Sequence, residues 1–448
     1  MKIMHGAARR QGMVRQEIVP RGNVLSGLRA AALTIAALAL AALASATPAL
    51  AAPPLDRSLA QAADSERPAP APQRRKRALK TVPIHYFERR VERPTPLNNE
   101  DPIPDDEGLK GAELGVADSI ATGRFVGLTF ELKPTVVEPG ADVAAAFTDL
   151  LDREKPAFVA VNAPADDLLA VADLAARRGV VLFNIGAPDA RLRDADCRAG
   201  LLHTLPSRDM LTDALFQFLS FKRWMRVLLV VGPGPADKLY AEAIRRSARK
   251  FGAKIVEERA FDAQGADIRD GAIDELTIAT RGAEHDVVAV ADEADQFGYS
   301  LPYNTASPRP VVGTHGLSPA GWGRPVESWA AVQLQDRFRK LAGRPMRPVD
   351  YAGWMAIHAV GEAAVQLKSA EAPAIRELLL SEGFEVGGFK GRALSLRPWN
   401  GQLRQPIYLL WPSAVIATAP IEGFLHQKTE LDTLGLDRSE SRCSAMKG

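Results

Sequence analysis

The densest group of potential ligand atoms lies in the run Leu97 to Gly108, LNNEDPIPDDEG, which holds Asn98, Asn99, Glu100, Asp101, Asp105, Asp106 and Glu107. Oxygens of this kind suit a hard cation. Two prolines interrupt the run, however, and its spacing is not that of an EF-hand loop. Its other reading is a rigid loop in which Asp105 or Asp106 caps the following helix and the acids favour the helix dipole. Helix capping is the expectation; contact with a cation or cationic ligand is the alternative.

A second candidate is Gly232-Pro233-Gly234-Pro235, directly after the apolar run Val227 to Val231. Pro233 and Pro235 remove amide donors, and no third glycine follows at the spacing a phosphate loop needs. The chain also lacks a Walker A motif, a Gly-x-Ser-x-Gly elbow and a His-Glu-x-x-His pair. His203, His285 and His315 each stand alone. These patterns predict no catalysis, no cofactor and no resident metal.

The remaining polar candidates stand where strands should end: Asn162-Ala163-Pro164-Ala165, Asn184 to Asp189, His203-Thr204, Asp292-Glu293 and Gly313-Thr314-His315. With Asn99 and Asp101, which follow the first strand, the candidate ligand contacts are Asn162, Ala163, Ala187, Asp189, His203, Asp292, Glu293 and His315. Small residues at such ends let a ligand approach backbone amides at helix N-termini. Each position also reads as an ordinary turn. Trp322, Trp329, Trp354 and Trp399 read as packing residues.

The elements that would position these residues follow a repeating pattern. Arg226 to Arg259 reads as strand, turn, helix, glycine stop and strand, the length of one βαβ crossover. Strand-like runs precede it at 82–87, 128–137, 157–161 and 180–184, with helical patterns at 107–121, 142–153 and 166–178. Asp142 is placed to cap the second of these helices and Gly179 to stop the third. A second half has helices at 209–221, 236–251, 270–280 and 293–299, and strands at 226–231, 254–261, 286–291 and 310–313. Two such halves predict an α/β protein of two doubly wound lobes with a ligand cleft between them. Helices at 326–341, 350–368 and 374–381 and a β-rich end around Leu394, 407–410 and 415–417 would pack on those lobes. The expected division is 81–204 for the first lobe, 205–313 for most of the second, and 314–448 for the crossover helices and tail.

The N-terminus has its own character. Residues 1–51 carry six cations against Glu17, then an apolar stretch from Ala30 to Ala46 and small residues up to Ala51. This is a signal-peptide pattern, with cleavage expected after Ala51 or Ala46, and it predicts a periplasmic protein. An uncleaved anchor is the rival reading. Residues 52–80 are rich in Ala and Pro with a basic cluster at Arg74 to Arg77, the composition of a linker. The formal net charge of +2 thus belongs to the leader, and the remainder is slightly acidic. Nucleic acid is not an expected partner. The only cysteines, Cys197 and Cys443, read as one disulfide in an oxidising compartment, or else as two unrelated thiols.

Several long runs carry a resemblance: LNNEDPIPDDEGLKGAELGVADSIATGRFVG, LLHTLPSRDM, VVAVADEADQFGYSLPY, RPVVGTHGL, LAGRPMRPVDYAGWMA and GFKGRALSLRPWNGQLRQPI. From about Thr81 to Cys443 the chain resembles type 1 periplasmic binding proteins, the solute receptors of ABC importers. Within them it is similar to the branch found with PQQ-dependent alcohol dehydrogenase systems. The resemblance implies a small-molecule ligand held by hinge closure, permease and ATPase subunits as partners, and a PQQ-dependent dehydrogenase as a further partner. It also exposes departures. Where amino-acid receptors carry a Ser/Ala-x-Thr patch, this chain has Gly186-Ala187-Pro188-Asp189. Gly234-Pro235-Ala236-Asp237 replaces an Asp-Tyr-Gly turn, and His315 stands where an acid would pair with the ligand amine. An α-amino acid would leave its charged ends poorly paired, so a non-amino-acid ligand is expected. The alternative is a non-transport accessory protein that binds PQQ, a metal ion or a dehydrogenase.

Overall fold

The computed structural model describes residues 78–92, 102–261 and 272–446. The expected leader, nearly all of the linker, and Asn99 and Asp101 lie outside the described residues.

The first lobe is a five-stranded parallel sheet in the order β2-β1-β3-β4-β5. Its strands are β1 (Lys80–Arg89), β2 (Leu128–Val137), β3 (Phe158–Asn162), β4 (Val181–Asn184) and β5 (Leu201–His203). Strand side chains alternate between faces, and both faces are covered. Val82, Ile84 and Tyr86 join one core with Phe158, Ala160 and Phe183. Phe87, Val159, Val161 and Leu182 join the opposite one. The first core packs on α1 (Leu109–Gly123), and the second on α2 (Val143–Glu154) and α3 (Ala165–Ala176). Asp142 caps α2 by accepting from the Ala145 amide at 3.0 Å. Gly179, with φ of +69°, follows the end of α3.

The second lobe repeats the plan with α4 (Arg208–Lys222), β6 (Arg226–Val231), α5 (Pro235–Lys250), β7 (Lys254–Ala260), α6 (Ala272–Ala279), β8 (Val287–Ala291) and β9 (Val311–Gly313). Its sheet order is β7-β6-β8-β9, again parallel. α4 and α5 cover one face and meet Val227, Leu229, Val287 and Ala289. Ser207 caps α4 through the Met210 amide at 3.2 Å.

The chain then completes both lobes. β10 (Ser318–Ala320) pairs antiparallel with β14 (Ile407–Trp411), which pairs with β15 (Ala414–Ala419), and this small sheet packs on α4. α7 (Ala331–Ala342), α8 (Pro348–Leu367) and α9 (Ala372–Leu380) return to the first lobe, followed by β11 (Val386–Gly387), β12 (Ala393–Leu396) and β13 (Leu403–Arg404). α8 lies close along α1: a Cβ at Gly111 would fall 1.8 Å from the Asp350 carbonyl oxygen, and one at Gly353 2.6 Å from that of Gly108.

The chain therefore passes between lobes near Thr204, near Gly321 and near Gln405. One buried ammonium touches two of these crossings and reaches the remaining one through Gln405. Lys390 donates to the Gly321 carbonyl, to Gln405 Oε1 at 2.6 Å and to the Pro406 carbonyl at 3.2 Å, while Gln405 Nε2 donates to the Thr204 carbonyl at 2.8 Å. Tyr351 and Tyr408 flank it, with ring centroids at 4.6 and 5.3 Å.

Three local expectations are corrected. Residues 293–299 form turns, not a helix, because the Asp292 carboxylate draws in the amides of Gln296, Phe297 and Gly298 and Asp295 is left-handed at φ +54°. The helix expected from residue 326 starts at Ala331, after Trp329 and Ala330 turn left-handed. Neither Asp105 nor Asp106 caps α1; Asp350 of α8 does so, accepting from the Gly108 amide at 2.8 Å.

Candidate ligand-binding site

In both sheets the candidate loops leave the carboxyl ends of parallel strands, where ligands of open α/β folds bind. After β3, Asn162 Nδ2 faces Tyr86 Oη at 3.5 Å and the Glu107 carbonyl at 3.4 Å. Its Oδ1 lies against Gly186, where a Cβ would come within 2.2 Å. Ala163 and Ala187 are buried, at 5% and 2% exposure, so neither offers a side-chain surface to a ligand.

The loop after β4 is held by its own neighbours. Asn184 Oδ1 accepts from the amides of Gly186 at 3.2 Å and Ala187 at 2.9 Å, and its Nδ2 donates to the Ala187 carbonyl at 2.8 Å. Arg193 adds Nη1 bonds to the carbonyls of Ala187 and Asp189, an Nη2 bond to Leu205 and an Nε bond to Gln402 Oε1. Burial pushes its pKa down to about 9. His203 lies inside this brace at 1% exposure, with Nδ1 3.0 Å from Asn184 Nδ2. Burial, and then the nearby Arg193 charge, hold its pKa well below the usual imidazole range.

Asp189 and Glu293 meet on one cation. Arg208, in the first turn of α4, reaches Asp189 Oδ2 at 3.0 Å and both Glu293 oxygens at 2.7–3.1 Å. The three side chains are 8%, 16% and 22% exposed in the order Arg208, Asp189, Glu293. The group carries one net negative charge. Burial raises the Glu293 pKa, although the Arg208 bonds oppose the shift. Tyr240, whose hydroxyl has no hydrogen-bond partner among the described residues, is within electrostatic reach of both.

The second lobe braces its loop in the same manner. Asp237 Oδ1 accepts from the Glu293 amide at 2.6 Å and its Oδ2 from the Gly234 amide at 2.9 Å. Asp237 thus turns inward from the Gly-Pro-rich turn. Asp292 N–H donates to Thr314 Oγ1, and His315 pairs through Nε2 with Asp295 Oδ1 at 2.9 Å. Asp292, Asp295 and His315 bring ligand atoms within 4.8 Å of one another. Three backbone amides already occupy the Asp292 oxygens, so the group braces a turn.

The structure therefore brings Asp189 with Glu293, and Asp292 with His315, and gathers Ala187, Asp189 and His203 around one brace. Sequence reasoning missed Arg208, Asp237 and Asp295. Arg208 carried a readable signal, because a cation in a first helical turn opposes the helix dipole and needs a carboxylate nearby. A cavity of about 220 Å³ lies elsewhere, lined by Gly200, Arg376, Leu396 and Met446 beside the amino end of β5.

Two α/β lobes, three crossings and loops at facing strand ends define a two-lobed ligand-binding protein. The model of the family described as periplasmic binding protein matches residues 108–411, and the chain belongs to that family, whose members serve ABC transporters by binding small ligands. No curated protein matches the chain. Among solved structures it is similar to a periplasmic binding protein of Burkholderia mallei, with 14% identity, coverage of 82% of this chain and 100% of the other, and a TM-score of 0.61. A branched-chain amino acid ABC transporter periplasmic ligand-binding protein of Burkholderia xenovorans gives 15%, 82%, 100% and 0.61 for the same measures. A solute binding protein of an ABC transporter from Rhodopseudomonas palustris, in complex with 3,4-dihydroxy benzoic acid, gives 14%, 73%, 92% and 0.52. No helix among the described residues is long and apolar enough to cross a membrane.

Proposed function

We propose that this chain is an exported solute receptor of an ABC-type importer whose ligand is a small organic molecule other than an α-amino acid. One observation carries this reading: the Asn184 side-chain oxygen, Oδ1, accepts from the Gly186 and Ala187 amides that a ligand carboxylate would need. The acid beside His315 points the same way, since Asp295 is committed to the imidazole. The relative that holds a dihydroxybenzoate supports a ligand without an amine. The motif resemblance extends the reading to import linked with PQQ-dependent alcohol oxidation. The lobe division 81–204, 205–313 and 314–448 and the candidate contacts at Asp189, Glu293 and His315 belong to the same proposal.

A second reading, a non-transport accessory protein that binds PQQ, a metal ion or a dehydrogenase, draws on Arg208, which occupies both cleft carboxylates. Calorimetric titration of the purified protein separates these readings. The proposal expects saturable binding of an alcohol, aldehyde or organic acid and none of leucine, isoleucine or valine. Saturable leucine binding overturns it. A response to PQQ, a metal or a dehydrogenase alone selects the accessory role.

A further inference from the structure

We infer that residues 421–446 form a strap that fastens the two lobes to each other and limits how far they open. The strap begins after β15 and lies beyond the residues that the family model matches. The inference does not depend on which ligand is bound, and so stands apart from the proposed function.

The first fastening is to the second lobe. The Gly435 amide donates to Asp213 Oδ2 at 2.8 Å, and Lys250 Nζ donates to the carbonyls of Thr433 and Gly435 at 3.1 and 3.0 Å. The Ile421 amide donates to Gln217 Oε1 at 3.0 Å. Asp213 and Gln217 lie on α4 and are fully buried, and Leu434 enters the core of this lobe. Asp213 also accepts from Arg246 and Lys250 of α5, so the anchor is tied to two helices.

The second fastening is at the crossings. Asp432 accepts from Arg397 Nε and Arg404 Nε, each at 2.8 Å. Arg397, 1% exposed, also donates to the carbonyls of Leu431 and Leu434. Arg404 ends β13, one residue before the third crossing.

The third fastening is to the first lobe and is covalent. Cys443 is disulfide-bonded to Cys197. The Arg442 amide and guanidinium hold Asp194, with Nε to Oδ2 at 2.9 Å, and Ser441 Oγ donates to the Arg193 carbonyl at 3.2 Å. The strap is thus a fourth passage between the lobes, and its last anchor cannot be released by exchange with water. Hinge motion concentrates its rotation in a few joint residues. A passage fixed at both ends resists that rotation until one end slips.

Spin labels at Ala144→Cys on α2 and Glu242→Cys on α5, both exposed, read the distance between lobes. The oxidised protein is expected to give one narrow distance distribution. The Cys197→Ser/Cys443→Ser variant is expected to broaden it by about twofold, as a freed hinge would. When the folded protein, labelled through non-reducible linkages, is treated with an added dithiol, the dithiol supplies two electrons and two protons, is itself oxidised to a disulfide and leaves Cys197 and Cys443 as two thiols, which should reproduce the change without a mutation. An unchanged distribution in the reduced protein, whatever the variant's stability, overturns the strap and leaves the disulfide a stabilising link only.

Discussion

Arg208 and Glu293 form a two-pronged ion pair, with Nε 2.9 Å from Oε1 and Nη2 2.7 Å from Oε2, and the third guanidinium nitrogen reaches Asp189 at 3.0 Å. Asp189 belongs to the loop after β4 in one lobe, and Glu293 to the loop after β8 in the other. Planar guanidinium geometry allows one side chain to serve both carboxylates at once, which a lysine could not match. Arg208 thus occupies both carboxylates in place and offsets one of their two charges.

Replacing Arg208 by Met leaves both carboxylates without their partner in a largely enclosed site. Removing one member of such a group is expected to cost about 2 kcal/mol, below the figure for fully buried pairs because Glu293 retains some access to water. Urea unfolding should show a lower midpoint with an unchanged slope. Glu293→Gln should cost less, because Asp189 still holds the cation. Equal losses in the two variants would sink the idea that Arg208 serves both lobes.

A side chain at Gly186 has no room in the loop after β4. A Cβ there would lie 2.2 Å from Asn162 Oδ1 and 3.2 Å from the Ala163 amide nitrogen. Gly186→Ala should therefore destabilise the protein by about 1–3 kcal/mol, the range for overpacking. Asn162→Ala removes the obstructing oxygen, so the double variant should recover much of that loss. Strict additivity of the two losses in a double-mutant cycle would contradict the contact.

The fold was legible because its signals are local and periodic. Leu128–Val137 and Arg226–Val231 are bounded by turn residues and appear as strands at the expected positions. Asp142 and Gly179 mark helix ends by chemistry readable in one turn. β5 and β10, three residues each, are too short for an alternation to register and owe their pairing to partners far along the chain. The site was legible as a set of loops but not as a set of contacts. Asp189 and Glu293 were singled out separately, and nothing in the order of residues indicates that Arg208 joins them. The Cys197–Cys443 pairing was readable because only two cysteines exist.

His203 makes stability depend on pH. Its buried ring has a depressed pKa, so the native state takes up its proton less readily than the unfolded chain. The sign follows from linkage: stability is fully present above the unfolded value of about 6.5 and is lost as pH falls below it. His85 and His358, also depressed by burial, act in the same direction. The melting temperature should therefore fall between about pH 6.5 and pH 5, and His203→Gln should flatten part of that slope. An identical slope in the variant would show that His203 is not one of the responsible groups.

Lys390 offers the opposite test at high pH. Among the described residues its ammonium has no carboxylate partner; three oxygens from the crossings and two tyrosine rings surround it. Burial alone depresses its pKa well below the usual lysine value. The native state then holds fewer protons than the unfolded chain as pH approaches about 10.5, so this group's contribution to stability rises through that window. Lys390→Met leaves the Gly321 and Pro406 carbonyls and Gln405 Oε1 without their donor, at a net cost of about 2 kcal/mol near neutral pH after relief of the buried charge. The gap between wild type and variant should widen from about pH 7 to pH 9, because only the wild type carries the titrating amine. Urea midpoints at the two pH values measure both effects. A variant as stable as the wild type at both would mean that the three crossings hold together without the lysine.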